Sequence, residues 1–361
     1  MSGGNRNIGT RNSLRRPAYC PASGFGICDK GVVIGRPSVR YRVIEIIPEL
    51  EGNDAKRKSP SGTMRPLNTP TLSLPEARMT TIIGIDFSGA KHDRDTWVAS
   101  GRLTSDGALI FEGANMIRRK DVVNLLIAAY PPTVSAIDFP FSVPQEFAEF
   151  LNTGDGLKAM PDVWRTIDGM SLDDFYAARD AFVSHFGIEP KRAGDRAHFT
   201  ESFSPLHKVN PNMVPMTYWG IRMLRELFSK EPSRWIVPPM EASGGQAEVV
   251  TLLETMPGAF LRAIGAIYKG YKKPKSALLR DERRNAILDD IQHNSGIALP
   301  NLSDLREVCI ENDNCLDAVV AAVVAARWAQ DAAKFRQPNA AELPAARLEG
   351  WIYVPKPQSA E

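Results

Sequence analysis

A short apolar run that stops on an acid sets the frame for this chain. Ile82, Ile83 and Ile85 are β-branched and apolar, which suits a strand buried on both faces. Asp86 follows at once, and Ser88, Gly89 and Ala90 let backbone or ligand come close. A carboxylate at the mouth of a buried strand is costly to desolvate unless a cation, a donor or a substrate meets it. A turn-capping aspartate is the plainer reading of Asp86 taken alone. The pattern recurs, however. Val134, Ala136 and Ile137 run into Asp138, and residues 249–253 run into Glu254. Ligands of open α/β sheets sit beyond the carboxyl ends of the strands, where these acids would lie.

The segments between these runs give the expected order of elements. Strands are predicted over 96–102 and 108–113, joined by a hairpin-type turn at Ser105, Asp106 and Gly107. An amphipathic helix is predicted over 118–130, stopped by Pro131 and Pro132. The return strand then covers 133–138. These pieces make half of a mixed α/β sheet. Residues 145–240 read as a helical insertion, either a lid over the site or an ordinary packing layer. Within it, Ser171 is a candidate N-cap for a helix over 171–186, and another helix is predicted over 215–229. Further helices are expected over 257–267, 276–292 and 314–335, with a short element at 302–310 and a final edge strand over 348–354.

Charge is distributed unevenly. The chain carries 44 Lys and Arg against 42 Asp and Glu, a net +2. Residues 1–78 hold 13 basic and 6 acidic side chains, a surplus of +7, which leaves −5 for the remainder. That leader is rich in Gly, Ser, Pro and Arg. Only two strand candidates, 32–34 and 41–47, stand out in it, so it is expected to be largely disordered. Met79 also reads as a natural start, which would make the leader an over-extended reading frame. Four cysteines, Cys20, Cys28, Cys309 and Cys315, form no C-x-x-C pair and have no histidine at ligand spacing, which argues against a zinc site. No apolar run has membrane-spanning length. A soluble cytoplasmic protein with free thiols is expected. It would comprise the leader 1–78, one domain over 79–355 and a tail over 356–361.

The last acids lie on the predicted late helix. Asp313 and Asp317 are four residues apart and share a face. Capping and dipole compensation account for Asp313. They account less well for Asp317, which runs straight into Ala318, Val319, Val320, Ala321 and Ala322. Those small residues let the helix press against the sheet and carry Asp317 toward the strand ends. Crowded carboxylates repel one another, and a divalent cation removes the conflict. Mg²⁺ or Mn²⁺ with oxygen ligands fits this set. Two such ions about 4 Å apart activate water and stabilise the leaving oxygen of a phosphodiester. The five histidines are scattered and lack a serine-hydrolase context, although His92 lies close to Asp86 in sequence.

These motifs, taken in order, resemble a known family. Ile83 to Ser88, Ala136 to Pro140, the turn from Glu254 to Pro257, Asp313 with Asp317 and Ala318, and the closing Glu349 to Pro355 look like domain of unknown function 429. The resemblance runs from about Met79 to Pro355. It implies an RNase H-like fold and a predicted nuclease. In that wider group the acid of the first strand, a later strand's acid and a helix acid hold Mg²⁺. The matching positions here are Asp86, Asp138 and Asp317, with Asp313 and Glu254 as weaker ones. The long helical stretch after Pro144 departs from compact nucleases of that fold.

The expected activity is therefore metal-dependent phosphodiester hydrolysis on a nucleic acid, RNA or DNA. Asp86 and Asp138 would hold the ions, Asp317 and Asp313 would complete the metal set, and Glu254 would orient water. Arg196, Lys272 and Lys273, in basic loops, would touch phosphates. Two alternatives stand beside this reading. One is an actin-like ATP-binding phosphotransferase, with Gly244 and Gly245 near an adenosine. The other is a non-catalytic binding module of the same fold.

Overall fold

Six strands build one mixed sheet: β1 (Thr80–Asp86), β2 (Thr96–Leu103), β3 (Leu109–Ile117), β4 (Thr133–Asp138), β5 (Trp235–Ile236) and β6 (Val250–Glu254). The computed structural model describes residues 79–152, 156–197, 202–240 and 249–356, all within the unit Thr71–Glu361. The leader 1–78, with its strand candidates and Cys20 and Cys28, lies outside the described residues, as do Gly244, Gly245, His198 and residues 357–361 of the tail. The strand order is β3-β2-β1-β4-β6-β5. β2 pairs antiparallel with both β1 and β3, whereas β1, β4, β6 and β5 are mutually parallel. Gly107, at φ 85°, supplies the left-handed turn between β2 and β3.

Strand alternation decides which way the acids face. Ile82 and Gly84 look toward one side of β1, and Ile83 and Ile85 toward the other. Asp86 continues the first series. On β4, Val134 and Ala136 share that side, and Asp138 continues it. The parallel register places Asp86 directly opposite Asp138. Both acids therefore face the same layer.

That layer is the Asp313–Gln330 helix. Every residue from Cys315 to Ala326 is buried, so this helix is apolar all round and sits inside the molecule. It comes close because Gly84 has no side chain. A Cβ there would stand 2.1 Å from the Ala322 nitrogen and 2.2 Å from the Ala318 oxygen. Cys315 on this helix and Cys309 on the short helix before it are buried free thiols, with their sulfurs 3.7 Å apart.

The opposite face carries most of the insertion. Helices Gln145–Leu151, Met160–Asp168, Leu172–Phe186, Ala193–Ala197 and Met213–Lys230 follow one another. Trp164, Tyr218, Ile221 and Leu224 pack with Ile83, Ile85 and Val98. The insertion is thus a packing layer. Its end enters the sheet, since β5 pairs in parallel with β6. A two-residue strand is too short for a period of two to show in sequence. As expected, Ser171 caps its helix, accepting the Asp174 backbone N–H.

Two local expectations need correction. The segment 118–130 is a 3-10 turn, Arg119–Asp121, followed by a shorter helix, Val122–Ala128. The expected edge strand over 348–354 does not form a ladder. Pro344 opens a helix, Leu343–Glu349, that uses the first of those residues. After it, Ile352 makes a single bridge to Glu254. No helix among the described residues is long and apolar enough to cross a membrane.

Replacing Gly84 by Ala should force the buried helix away from β1. We expect a loss of about 3 kcal/mol in urea unfolding, the upper part of the usual cost of overpacking. A loss under about 1 kcal/mol would show that the helix moves off freely.

Candidate metal centre

Asp86, Asp138 and Asp317 meet. One carboxylate oxygen from each lies within 4.8 Å of the others. Asp317 is fully buried and Asp86 is nearly so, while Asp138 is partly open to a cleft. The cleft holds about 500 Å³ and runs between the strand ends, the start of the Met213–Lys230 helix and the loop around Tyr268 to Lys273. The helix start that delivers Asp317 is fixed by Asn312, whose side chain accepts the N–H groups of Asn314 and Cys315. Asn312 is thus the cap, and Asp313 stands one residue inside the helix.

The environment opposes ionisation of the two strand-end acids. Loss of water pushes Asp86 well above the usual carboxylate range, and the nearby Asp317 adds to this. Asp138 is pushed up to about 7, first by desolvation, against the lowering effect of Lys272. Asp317 is better served. Its Oδ1 accepts a 2.8 Å hydrogen bond from the Tyr271 hydroxyl. Its Oδ2 meets the Lys272 ammonium at 2.5 Å as an ion pair, and no hydrogen bond ends on that oxygen. Burial and then the Asp317 charge hold the Tyr271 hydroxyl far above its ordinary value, so it remains a donor. Burial alone would lower the Lys272 ammonium, but Asp317 and its neighbours outweigh that and raise it. Three crowded carboxylates with one lysine among them leave unmet negative charge, which a metal ion can satisfy.

The remaining expected site residues are placed differently. Glu254 lines the cleft, but its oxygens are already engaged. Arg192 reaches Oε1 at 2.5 Å and Oε2 at 3.0 Å, and the Phe141 N–H donates to Oε2 at 3.1 Å. Its expected role of orienting water therefore has no free oxygen. Asp313 lines the cleft too, but pairs with the buried Arg284 at 2.9 Å instead of joining the triad. Lys272 sits in the acid cluster. Lys273 is exposed on the cleft lining. Arg196 is exposed, outside the cleft, and donates to the Lys191 carbonyl. His92 is exposed and away from the cleft.

Tyr271, Arg192 and Arg284 had no assigned role in the sequence reading. Tyr271 stands beside Lys272 in a basic loop, yet it is only 2% exposed. Arg192 also binds Asp195 and the Glu349 carbonyl, which closes a buried network between the insertion, β6 and the last helix. Nothing in the spacing of these residues marks them out.

The model of a family described as Protein of unknown function (DUF429) matches residues 226–342. This part of the chain is similar to DUF429. The matched region includes Glu254, Tyr271, Lys272, Arg284, Asp313 and Asp317, and stops short of Asp86 and Asp138. The centre therefore joins one acid of the matched region to two from the preceding strands. No curated protein and no solved structure matches the chain.

Two measurements check this reading of the charges. Without a metal ion, Asp86 and Asp138 keep their protons to a higher pH in the folded state than in the unfolded chain. Their contribution to stability is present at low pH and is lost as pH rises toward about 7. Calorimetry with a chelator present should show Tm falling from about pH 5 to about pH 8, and a smaller fall for Asp138→Asn. A rising Tm would contradict the assignment. Separately, Glu254→Ala leaves Arg192 short of a buried partner and should cost about 3 kcal/mol in urea unfolding. Its metal affinity should be unchanged. Loss of metal binding without destabilisation would return Glu254 to the site.

Proposed function

We propose that the chain is a phosphodiesterase dependent on Mg²⁺ or Mn²⁺, with an RNase H-like fold and a nucleic-acid substrate. One observation carries this reading: Asp86, Asp138 and Asp317, from two parallel strands and a buried helix, converge within 4.8 Å. The positions support it as well. A first-strand acid, a later strand's acid and a helix acid are the set that the resemblance to RNase H-like nucleases implies. The donors are all carboxylate oxygens, which suit hard divalent ions and offer nothing to soft ones.

Hydrolysis of a phosphodiester joins a water oxygen to phosphorus and breaks the bond to the leaving oxygen, which takes up a proton. A divalent ion bound by the aspartates would supply Lewis acidity and make water a better nucleophile. The chain's own groups do the rest. The Tyr271 hydroxyl orients Asp317, and Lys272 brings positive charge beside it. Lys273 is exposed on the cleft lining, where a phosphate of the substrate would pass. Tyr268 and the exposed Phe203 on the same lining offer ring faces on which bases can stack.

The test uses labelled RNA and DNA oligonucleotides with purified protein in Mg²⁺ or Mn²⁺. Cleavage of one of them should fall to background in Asp86→Asn and in Asp138→Asn, with the fold intact by circular dichroism. Absence of cleavage, or cleavage that survives both substitutions, would overturn the reading. Ion binding without cleavage would favour a binding module, and ATP affinity by calorimetry would favour the phosphotransferase.

A further inference from the structure

The Lys272 side chain is half exposed, but its approach to Asp317 is built into the fold. Its backbone is held from behind by Arg284, which is 2% exposed. Arg284 donates to the Tyr271 carbonyl at 3.0 Å and to the Lys272 carbonyl at 3.4 Å. The same guanidinium is fixed by the Ile310 carbonyl at 2.9 Å and by Asp313 at 2.9 Å. From the other side, Tyr271 is buried and its hydroxyl binds Asp317. The lysine stem thus leaves a pinned backbone and ends 2.5 Å from Asp317 Oδ2.

The oxygens of the triad are therefore unequal. Both oxygens of Asp317 have partners, one in the Tyr271 hydroxyl and one in the Lys272 ammonium. Asp86 and Asp138 lie opposite each other at the strand ends, one buried and one partly open to the cleft, and among the described residues no hydrogen bond reaches either carboxylate. Thr255 makes the same point from another residue. It is 2% exposed and lines the cleft, and its hydroxyl has no hydrogen-bond partner among the described residues. Asp317 Oδ2 accepts no hydrogen bond but has the lysine's charge beside it, whereas the strand side of the centre has, among the described residues, no cation of its own that close. Charge agrees with this. Three carboxylates and one ammonium are brought to neutrality by a single divalent ion, whereas a second would leave an excess of positive charge in a buried site.

We infer that the centre takes one divalent ion, held by Asp86 and Asp138, and that the Lys272 ammonium on Asp317 occupies the place of a second ion. Asp317 then acts as the lysine's anchor, positioned by Tyr271. This rests on the metal reading above and specifies the number of ions that reading requires. It departs from the two-ion arrangement usual where two ions about 4 Å apart flank a scissile phosphate.

Equilibrium dialysis with Mn²⁺, followed by electron paramagnetic resonance, tests it without any substrate. Full-length wild type should bind one Mn²⁺ per chain with an uncoupled spectrum. Lys272→Met should double the bound Mn²⁺ and show spin coupling between neighbouring ions. Lys272→Arg, which keeps the charge, should stay at one. Two coupled ions in wild type, or one ion in Lys272→Met, would overturn the inference and leave the metal reading standing. No Mn²⁺ bound by wild type, or binding that survives Asp86→Asn with Asp138→Asn, would defeat the metal reading and this inference together.

Discussion

The structure depends on how close one helix comes to one strand. The Asp313–Gln330 helix lies against β1 with backbone facing backbone, because Gly84 presents no side chain to Ala318 and Ala322. Packing at this distance is a property of apolar surfaces: small residues approach, fill the interior densely and exclude water. Yet it sets an electrostatic quantity. Asp317 precedes Ala318 on the same turn, so the separation of three carboxylates follows from the fit of glycine against alanine. The energy that crowds the acids comes from the hydrophobic core on either side of them.

Buried acids appear here in two conditions, and the contrast separates framework from site. Glu254, Glu349 and Asp195 are provided with donors: Arg192, backbone N–H groups of Phe141, Gln145 and Ala193, and the Ser202 hydroxyl. Such a network is well satisfied, and it ties the insertion and the last helix to the carboxyl end of β6. Asp86 and Asp138 have no such provision, although they lie at the same edge of the same sheet. A fold tolerates that cost where something outside the chain meets it, and a cleft of about 500 Å³ opens beside them.

Much of the scaffold is readable in the residues. The runs before Asp86, Asp138 and Glu254 became parallel strands, and Ser171 and Gly187 bound their helix as capping chemistry requires. The reading failed where an element was too short or too mixed to carry a period. β5 has only two residues. The expected strand over 348–354 loses its first two residues to the helix Leu343–Glu349, whose first turn Pro344 presets. The site was legible in part. Asp86, Asp138 and Asp317 were singled out together, and they meet. Glu254 and Asp313 look the same to a sequence reader, each an acid at an element's end, yet each is engaged by an arginine.

The sequence by itself determined that acids would stand at the ends of neighbouring strands, and that those on β1 and β4 would face one side. Alternation along a strand and small residues along a helix are local rules, and they suffice for that. Only the tertiary structure decided which acids stay open. Arg192 is 62 residues from Glu254, Arg284 is 29 from Asp313, and Tyr271 is 46 from Asp317. Whether a carboxylate is answered depends on donors that arrive through space, and no spacing along the chain encodes their arrival.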